Sequence, residues 1–208
     1  MPSAFVITLL GAAGTGKTTL AVALVQALRE QNLRTAHVPA PELELIDAAA
    51  DAPALAAAAA RQTDLTNAAR HGHDCVVVNG SALQFAAACE QRFQPCTDRL
   101  SLYTEALAAQ RRIDLTLLMA LDLPTDASAL APGSEQRQLD RLLRAALLAG
   151  GIDWSVVAGH GPARLAAALA ARQGELRRRT STSSQRSLWR HACGRCGDPD
   201  CERHLLAR

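Results

Sequence analysis

Ala4-Phe5-Val6-Ile7-Thr8-Leu9-Leu10 runs directly into Gly11-Ala12-Ala13-Gly14-Thr15-Gly16-Lys17-Thr18, and the stretch from Lys17 to Gln31 then carries Leu20, Leu24 and Leu28 at helical spacing. The first segment is an apolar run of strand length bounded by glycine, the pattern of a buried parallel strand. The second is a complete G-x-x-x-x-G-K-[ST] motif, which gains its meaning from following a strand and opening a helix. Its glycines let the backbone turn so that successive N–H groups point inward, and the helix N-terminus adds positive potential, so the loop is built to cradle phosphates. Gly11, Gly14, Thr15, Gly16, Lys17, Thr18 and Thr19 are therefore the candidate nucleotide-binding residues. Thr18 is the candidate Mg²⁺ ligand through its hydroxyl, and Lys17 the candidate catalytic cation between the β- and γ-phosphates.

Lys17 is also the only lysine in the chain, the other 21 of its 22 basic residues being arginine. A compact ammonium suits a narrow loop beside phosphates, where a broad guanidinium fork would not fit.

Outward from the loop, further apolar runs recur at Thr35–Val38, Cys75–Asn79, Leu115–Leu121 and Ser155–Ala158, with helical patterns between them. This alternation predicts βαβ units, a parallel sheet and an α/β fold. Pro53 suits a first helical turn, so a helix is expected from about residue 52 to Arg70, ending at Gly72. Others are expected from about Asp98 to Arg111, from a Ser134 cap to Ala149 before Gly150-Gly151, and from Gly161-Pro162 to about Gly174.

A chain of 208 residues with 49% hydrophobic content is large enough to bury one good core. No apolar run approaches the roughly 20 residues that span a bilayer, and the first residues read as a core strand. Neither a signal peptide nor a membrane partner is expected. Cys75 opens a strand, and Cys89 and Cys96 show no pairing pattern, so reduced thiols and a cytoplasmic location are expected of a protein drawing on nucleotide.

The domain division predicted is a nucleotide-binding domain over 1–173, an Arg/Ser-rich linker over 174–188 and a Cys/His tail over 189–208. Residues 174–208 hold eight Arg against Glu175, Asp198, Asp200 and Glu202, so the basic character of the chain belongs to this end. Arg177-Arg178-Arg179-Thr180-Ser181-Thr182-Ser183-Ser184 has little to bury and reads as a solvated, mobile linker. A basic run can hold nucleic acid, but the absence of interleaved aromatics argues against it. The tail places Cys193, Cys196, Cys201 and His204 at C-x2-C-x4-C-x2-H spacing. Three thiolates and an imidazole make a candidate structural Zn²⁺ set, with His191 an alternative fourth ligand. The x4 gap is shorter than in zinc ribbons, and free or redox-active thiols or an iron–sulfur cluster remain open readings. Trp189 reads as an anchor for this tail.

Phosphoryl-transfer sites of this type carry an acidic residue at the end of a neighbouring strand to orient the metal. Here Cys75-Val76-Val77-Val78 ends in Asn79, an amide without charge. Asp122, after Leu117-Leu118-Met119-Ala120-Leu121, is the alternative catalytic carboxylate, and capping a strand end is its equally weighted structural role. Ser81 is a further polar residue at a strand end.

The phosphate loop, Val76-Val77-Val78-Asn79-Gly80-Ser81-Ala82-Leu83, the segment Tyr103–Pro124 with Arg111-Arg112-Ile113-Asp114-Leu115, and Val156-Val157-Ala158-Gly159 together resemble the AAA-type P-loop ATPases related to the kinase domain of the NadR nicotinamide riboside kinases. The resemblance covers residues 4–172. It implies a P-loop NTPase three-layer sandwich similar to nucleoside and nucleotide kinases, with a five-stranded parallel sheet in the order 2-3-1-4-5 and ATP at its carboxyl edge. That order sets Asn79 beside the first strand, near the metal; Gly159-His160-Gly161 is expected to border the base. Two departures stand out: the family shows an Asp-Thr-Thr-like sequence at Asn79-Gly80-Ser81, and a Trp with an Asp-Gly pair where this chain has Thr125-Asp126-Ala127-Ser128-Ala129. Both fall on positions that would handle metal or acceptor.

The expectation is thus Mg²⁺-dependent ATP binding, with slow hydrolysis or phosphoryl transfer to a small-molecule acceptor; the alternative is a catalytically weak nucleotide sensor or adaptor whose tail binds metal or a partner. Arg137, Arg141 and Arg144 share a helix face as candidate phosphate clamps, an ordinary solvated face being the alternative. No guanine-reading N-K-x-D occurs, which favours adenine only weakly, and no motif of the chain encodes the acceptor's identity or an oligomeric state.

Overall fold

The computed structural model describes residues 4–40, 52–93, 99–123 and 134–188. Five strands alternate with helices in the order β1 (Phe5–Leu10), α1 (Lys17–Glu30), β2 (Thr35–Val38), α2 (Ala52–Ala69), β3 (Cys75–Asn79), α3 (Ala82–Arg92), α4 (Arg99–Gln110), β4 (Leu115–Met119), α5 (Glu135–Ala149), β5 (Ser155–Val157) and α6 (Gly161–Leu188). The sheet order is β2-β3-β1-β4-β5, every pairing parallel. β1 is central because its run is apolar on both faces: Val6, Ile7, Leu9 and Leu10 are fully buried. β2 and β5 form the edges, and exposed Val156 marks β5 as the open one.

Successive strand side chains point to opposite faces. Leu10 and Leu118 belong to one core cluster with Leu55 and Ala59 of α2, Leu83, Phe85 and Ala86 of α3, Ala106 of α4 and Leu143 and Leu147 of α5, so these helices cover one face of the sheet. Val6, Val38, Val76 and Val78 extend that face toward Ala69 and Ile113. The alternate residues Ile7, Leu9, Val77, Leu117 and Met119 are buried on the other face. There α1 covers β1, β2 and β3 with Leu20, Leu24, Val25 and Leu28. At the amino edge of the sheet, Asp74 accepts from the backbone N–H of Arg34 and from its guanidinium at 2.8 Å. The guanidinium bond, first among the causes, lowers the Asp74 carboxyl to about 2.

Strand bounds match the sequence pattern closely. β4 stops at Met119, two residues earlier than expected, where Ala120 N–H reaches across to Val157 O. α3 carries no amphipathic stripe in sequence, and the structure shows why: Ala82 through Ala87, Cys89 and Glu90 are all buried. It is capped by Ser81, whose hydroxyl accepts from Leu83 N–H.

The described residues fall into two units that divide between Ala170 and Ala171. In the second, α6 continues past Gly174 to Leu188, so the stretch expected to be a linker is helical. Glu175 pairs with Arg178 and Arg179 at i+3 and i+4, and the hydroxyl of Thr180 bonds back to Arg177 O and Leu176 O. These local bonds, together with the good helix propensity of arginine, outweigh the roughly 1 kcal/mol cost of one interior glycine. Among the described residues no helix is long and apolar enough to cross a membrane. The whole Cys/His tail, 189–208, lies outside the described residues.

Candidate functional site

The loop between β1 and α1 is held by its own side chains and by its neighbours. Gly16 is the residue ahead of α1 and adopts φ +75 and ψ 20, the left-handed region that favours glycine. A Cβ there would be strained at this φ and would lie 2.9 Å from Leu123 Cδ1 and 3.2 Å from an Arg164 guanidinium nitrogen, so those side-chain ends would have to shift. Gly11 is pressed against Met119, whose Cβ would sit 3.0 Å from an added methyl. Thr15 is buried, its hydroxyl donating to Ala12 O at 2.8 Å, which closes the turn. Gly14, Thr18 and Thr19 are exposed and line the mouth of the site.

Lys17 folds along the loop. Its Nζ donates to Gly11 O at 2.8 Å and Ala12 O at 2.7 Å, and the residue is only 9% exposed. Burial lowers its ammonium from 10.5 to about 8. The side chain is thus a desolvated cation held by neutral carbonyl oxygens, poised for a stronger anionic partner.

The register Leu9↔Asn79 sets the end of β3 beside the loop. There Asn79 Nδ2 donates to Thr18 Oγ1 at 3.0 Å, while Asn79 Oδ1 is buried with no hydrogen-bond partner. The strand-end amide and the loop hydroxyl therefore meet, as the strand order implied. Behind them the turn 79–81 is held by buried amides. Gln62 donates toward Asn79 O and Gly80 O, and Ser81 Oγ donates to Gln110 Oε1 at 2.7 Å. Gln110 in turn donates to Thr116 Oγ1 at 2.8 Å.

Asp122, expected as the alternative metal-orienting carboxylate, is committed elsewhere. One oxygen accepts Gly159 N–H at 2.6 Å and the other pairs with the Arg164 guanidinium. Arg164 also donates to Thr15 O at 2.7 Å, and is 4% exposed. Gly159, at φ +91, thereby has its N–H turned toward Asp122.

Loop, strand end and helices enclose a cleft of about 1040 Å³. Beyond the loop and Asn79 its walls come from Gln84, Phe85, Ala88, Gln91, Arg92 and Phe93 around α3, and from Glu135, Gln136, Gln138 and Leu139 of α5. Of the two readings of the α5 arginines, the solvated face fits better than the phosphate clamp: Arg137 and Arg141 are exposed, and Arg144 bonds Asp140 at 2.8 Å.

The sequence reading passed over Arg164, Gln62, Gln84 and Gln110. Arg164 had one signal, since a cation in the first turn of a helix opposes the helix dipole and calls for another reason to be there. The buried glutamines carried none.

Cys193, Cys196, Cys201 and His204 lie outside the described residues, as do His191 and Trp189. Among the described residues no group of three or more His, Cys, Asp or Glu could hold a metal ion. Cys75 and Cys89 are buried and not joined in a disulfide.

Solved structures of similar fold include the NadR protein in complex with NR, at 17% identity and TM-score 0.64, over 81% of this chain and 50% of that one. The NadR protein in complex with NAD and AMP-PNP aligns at 19% identity and TM-score 0.60, over 83% and 49%. This chain spans about half the length of those proteins. A thymidylate kinase from Ehrlichia chaffeensis aligns at 14% identity and TM-score 0.56, over 77% and 89%. No curated protein matches. The likenesses establish a P-loop fold of the nucleotide-kinase type, and the match of residues 6–164 places the chain in the AAA_28 family, an AAA domain.

Proposed function

We propose that this chain binds ATP with Mg²⁺ at the phosphate loop and passes the γ-phosphoryl group to a small acceptor in the adjoining cleft, or slowly to water. The observation that carries the reading is the continuity of the cleft: one cavity of about 1040 Å³ runs from the loop over Asn79 to the Gln84, Phe85 and Phe93 wall, with room for a donor and an acceptor side by side. Lys17 would hold the β- and γ-phosphates, the amides from Gly14 to Thr18 would cradle their oxygens, and Gly159 would border the base. Thr18 would hold Mg²⁺, and the buried, unpartnered Asn79 Oδ1 fits a site that orders a metal or its water. When bound, the metal supplies charge neutralisation of the phosphates. A cytoplasmic location goes with such a nucleotide supply.

Magnesium-dependent ATP binding and turnover, measured with Lys17→Ala as control and nucleosides including nicotinamide riboside as acceptors, test this. Turnover that depends on Lys17 and is stimulated by one acceptor establishes the kinase; binding lost in neither Lys17→Ala nor the absence of magnesium removes it.

A second reading has its own observation. Asn79 presents an N–H to Thr18 Oγ1 where a carboxylate would accept from it, so the metal side of the site is short of one negative charge. This favours a nucleotide-binding sensor with weak turnover, in which the Cys193, Cys196, Cys201 and His204 tail holds Zn²⁺ or a partner. Tight Lys17-dependent binding without turnover selects it, and metal content of the chain with and without Cys193→Ser tests the tail.

A further inference from the structure

We propose that Arg164 is a positioning residue for the phosphate loop: through Thr15 O it fixes the direction of the Gly16 N–H, and its ion pair with Asp122 holds it in place. The functional consequence rests on the reading of the cleft as a polyphosphate site.

Arg164 stands in the first turn of α6, where the helix dipole disfavours a cation, and it is almost wholly buried. One terminal nitrogen donates to Thr15 O at 2.7 Å; the other reaches Asp122 Oδ1 and, at 3.4 Å, Ala120 O. A guanidinium is a rigid planar fork, so acceptors on both arms fix its plane. The Asp122 carboxylate is itself fixed by the Gly159 N–H at 2.6 Å.

A trans peptide carries its C=O and N–H on opposite sides. Capture of Thr15 O by Arg164 therefore turns the Gly16 N–H away from Arg164, toward the side on which Gly14, Gly16 and Lys17 line the cleft. Glycine tolerates both orientations of the plane before it, at φ +75 as elsewhere. A flip of the Thr15–Gly16 plane would replace an N–H by a carbonyl oxygen facing the phosphates, reversing the local potential. Arg164 opposes that flip without reaching into the anion site, and Asp122 acts one step further back.

Inorganic tripolyphosphate reads the loop without base or acceptor. Full-length wild type, Arg164→Met, Arg164→Lys, Asp122→Asn and Lys17→Ala are titrated with it calorimetrically, and amide hydrogen exchange of residues 11–18 is followed without ligand. Arg164→Met is expected to lose about tenfold in affinity, the scale of one hydrogen bond to a charged group. Its loop should exchange faster while the sheet strands keep their protection. Arg164→Lys, which keeps the charge but cannot bond Thr15 O and Asp122 together, recovers part of the loss; if Arg164→Met does not fold, it and Asp122→Asn carry the test. Unchanged affinity and loop exchange in these variants overturns the proposal, and so does faster exchange throughout the sheet, which marks a purely structural role. If wild type and Lys17→Ala alike fail to bind tripolyphosphate, the nucleotide-site reading falls instead, and loop exchange alone decides the positioning role.

Discussion

Lys17 is asked to be buried and to be charged, and the two demands set its response to pH. Burial lowers its folded-state value from 10.5 to about 8, so the unfolded chain holds this proton more tightly than the folded one. The lysine's contribution to stability is then greatest above about 10.5 and is lost as pH falls through about 8. Lys17→Met should raise the melting temperature at pH 7, by an amount that shrinks toward pH 10.5; a gain that is constant across that range counts against the burial argument. Polyphosphate binding runs the other way, because it needs the ammonium. Affinity should be flat below pH 8 and fall above it, with proton uptake on binding visible in calorimetry across buffers of different ionisation enthalpy. Asn79 poses the second question at this scale. Its Nδ2 lies 3.0 Å from Thr18 Oγ1, so Asn79→Asp puts a carboxylate oxygen where it accepts the threonine proton and leaves that oxygen free for a cation. Turnover should rise roughly ten- to a thousandfold, with nucleotide affinity little changed. If turnover does not move, the amide is no brake. The loop residues were legible in sequence because a fixed spacing of glycines, lysine and threonine has a single geometric meaning after a strand. The partners that brace it were not, because Arg164 is 149 positions from the Thr15 carbonyl it holds.

Uniformly apolar strands and helices with a cap and a stop announced themselves in the sequence, and a helix that buries polar and apolar residues alike did not. Strands buried on both sides read as apolar runs, and α5 shows its Ser134 cap and Gly150 stop plainly. α3 is missing from the pattern because it is covered on nearly every side, and its polar members Gln84 and Glu90 are buried with the rest. The turn that launches it depends on Gln110 at the end of α4, 1% exposed, between the hydroxyls of Ser81 and Thr116. Gln110→Ala should cost about 2–4 kcal/mol, since both hydroxyls lose their partner and a cavity remains. Urea unfolding checks this; a loss below about 0.5 kcal/mol would place the network among incidental contacts. α6 differs the other way: the sequence pattern ends it near Gly174, yet the helix runs on to Leu188, with Glu175 paired to Arg178 and Arg179 just past the glycine. An added Cβ at Gly174 meets nothing within 4 Å. Gly174→Ala should therefore stabilise the helix by about 0.5–1 kcal/mol and raise helical circular dichroism. A fall in helicity would mean that the glycine is needed there.

At the scale of the molecule, the sheet order β2-β3-β1-β4-β5 brings the ends of β1, β3 and β4 together, and with them the loop, Asn79 and Asp122. This convergence could not be drawn from spacing alone, since strand order is a property of how crossovers pack; it became readable through the family resemblance. The hydrogen bonds described for Lys17, for Asn79 with Thr18, for Asp122 with Gly159 and for Arg164 with Thr15 all join residues of the unit that ends at Ala170. The two units should then be separable in nucleotide binding. Protease cleavage within Arg177-Arg178-Arg179, three consecutive arginines in the second unit, leaves the first unit's site residues intact. The nicked protein should bind ATP and tripolyphosphate within about twofold of the full chain, a difference of under half a kcal/mol. If affinity falls tenfold or more after cleavage while circular dichroism reports an intact sheet, the residues beyond Ala170 take part in binding, and the sensor reading, which gives the tail a role in reporting the bound state, gains over the simple kinase.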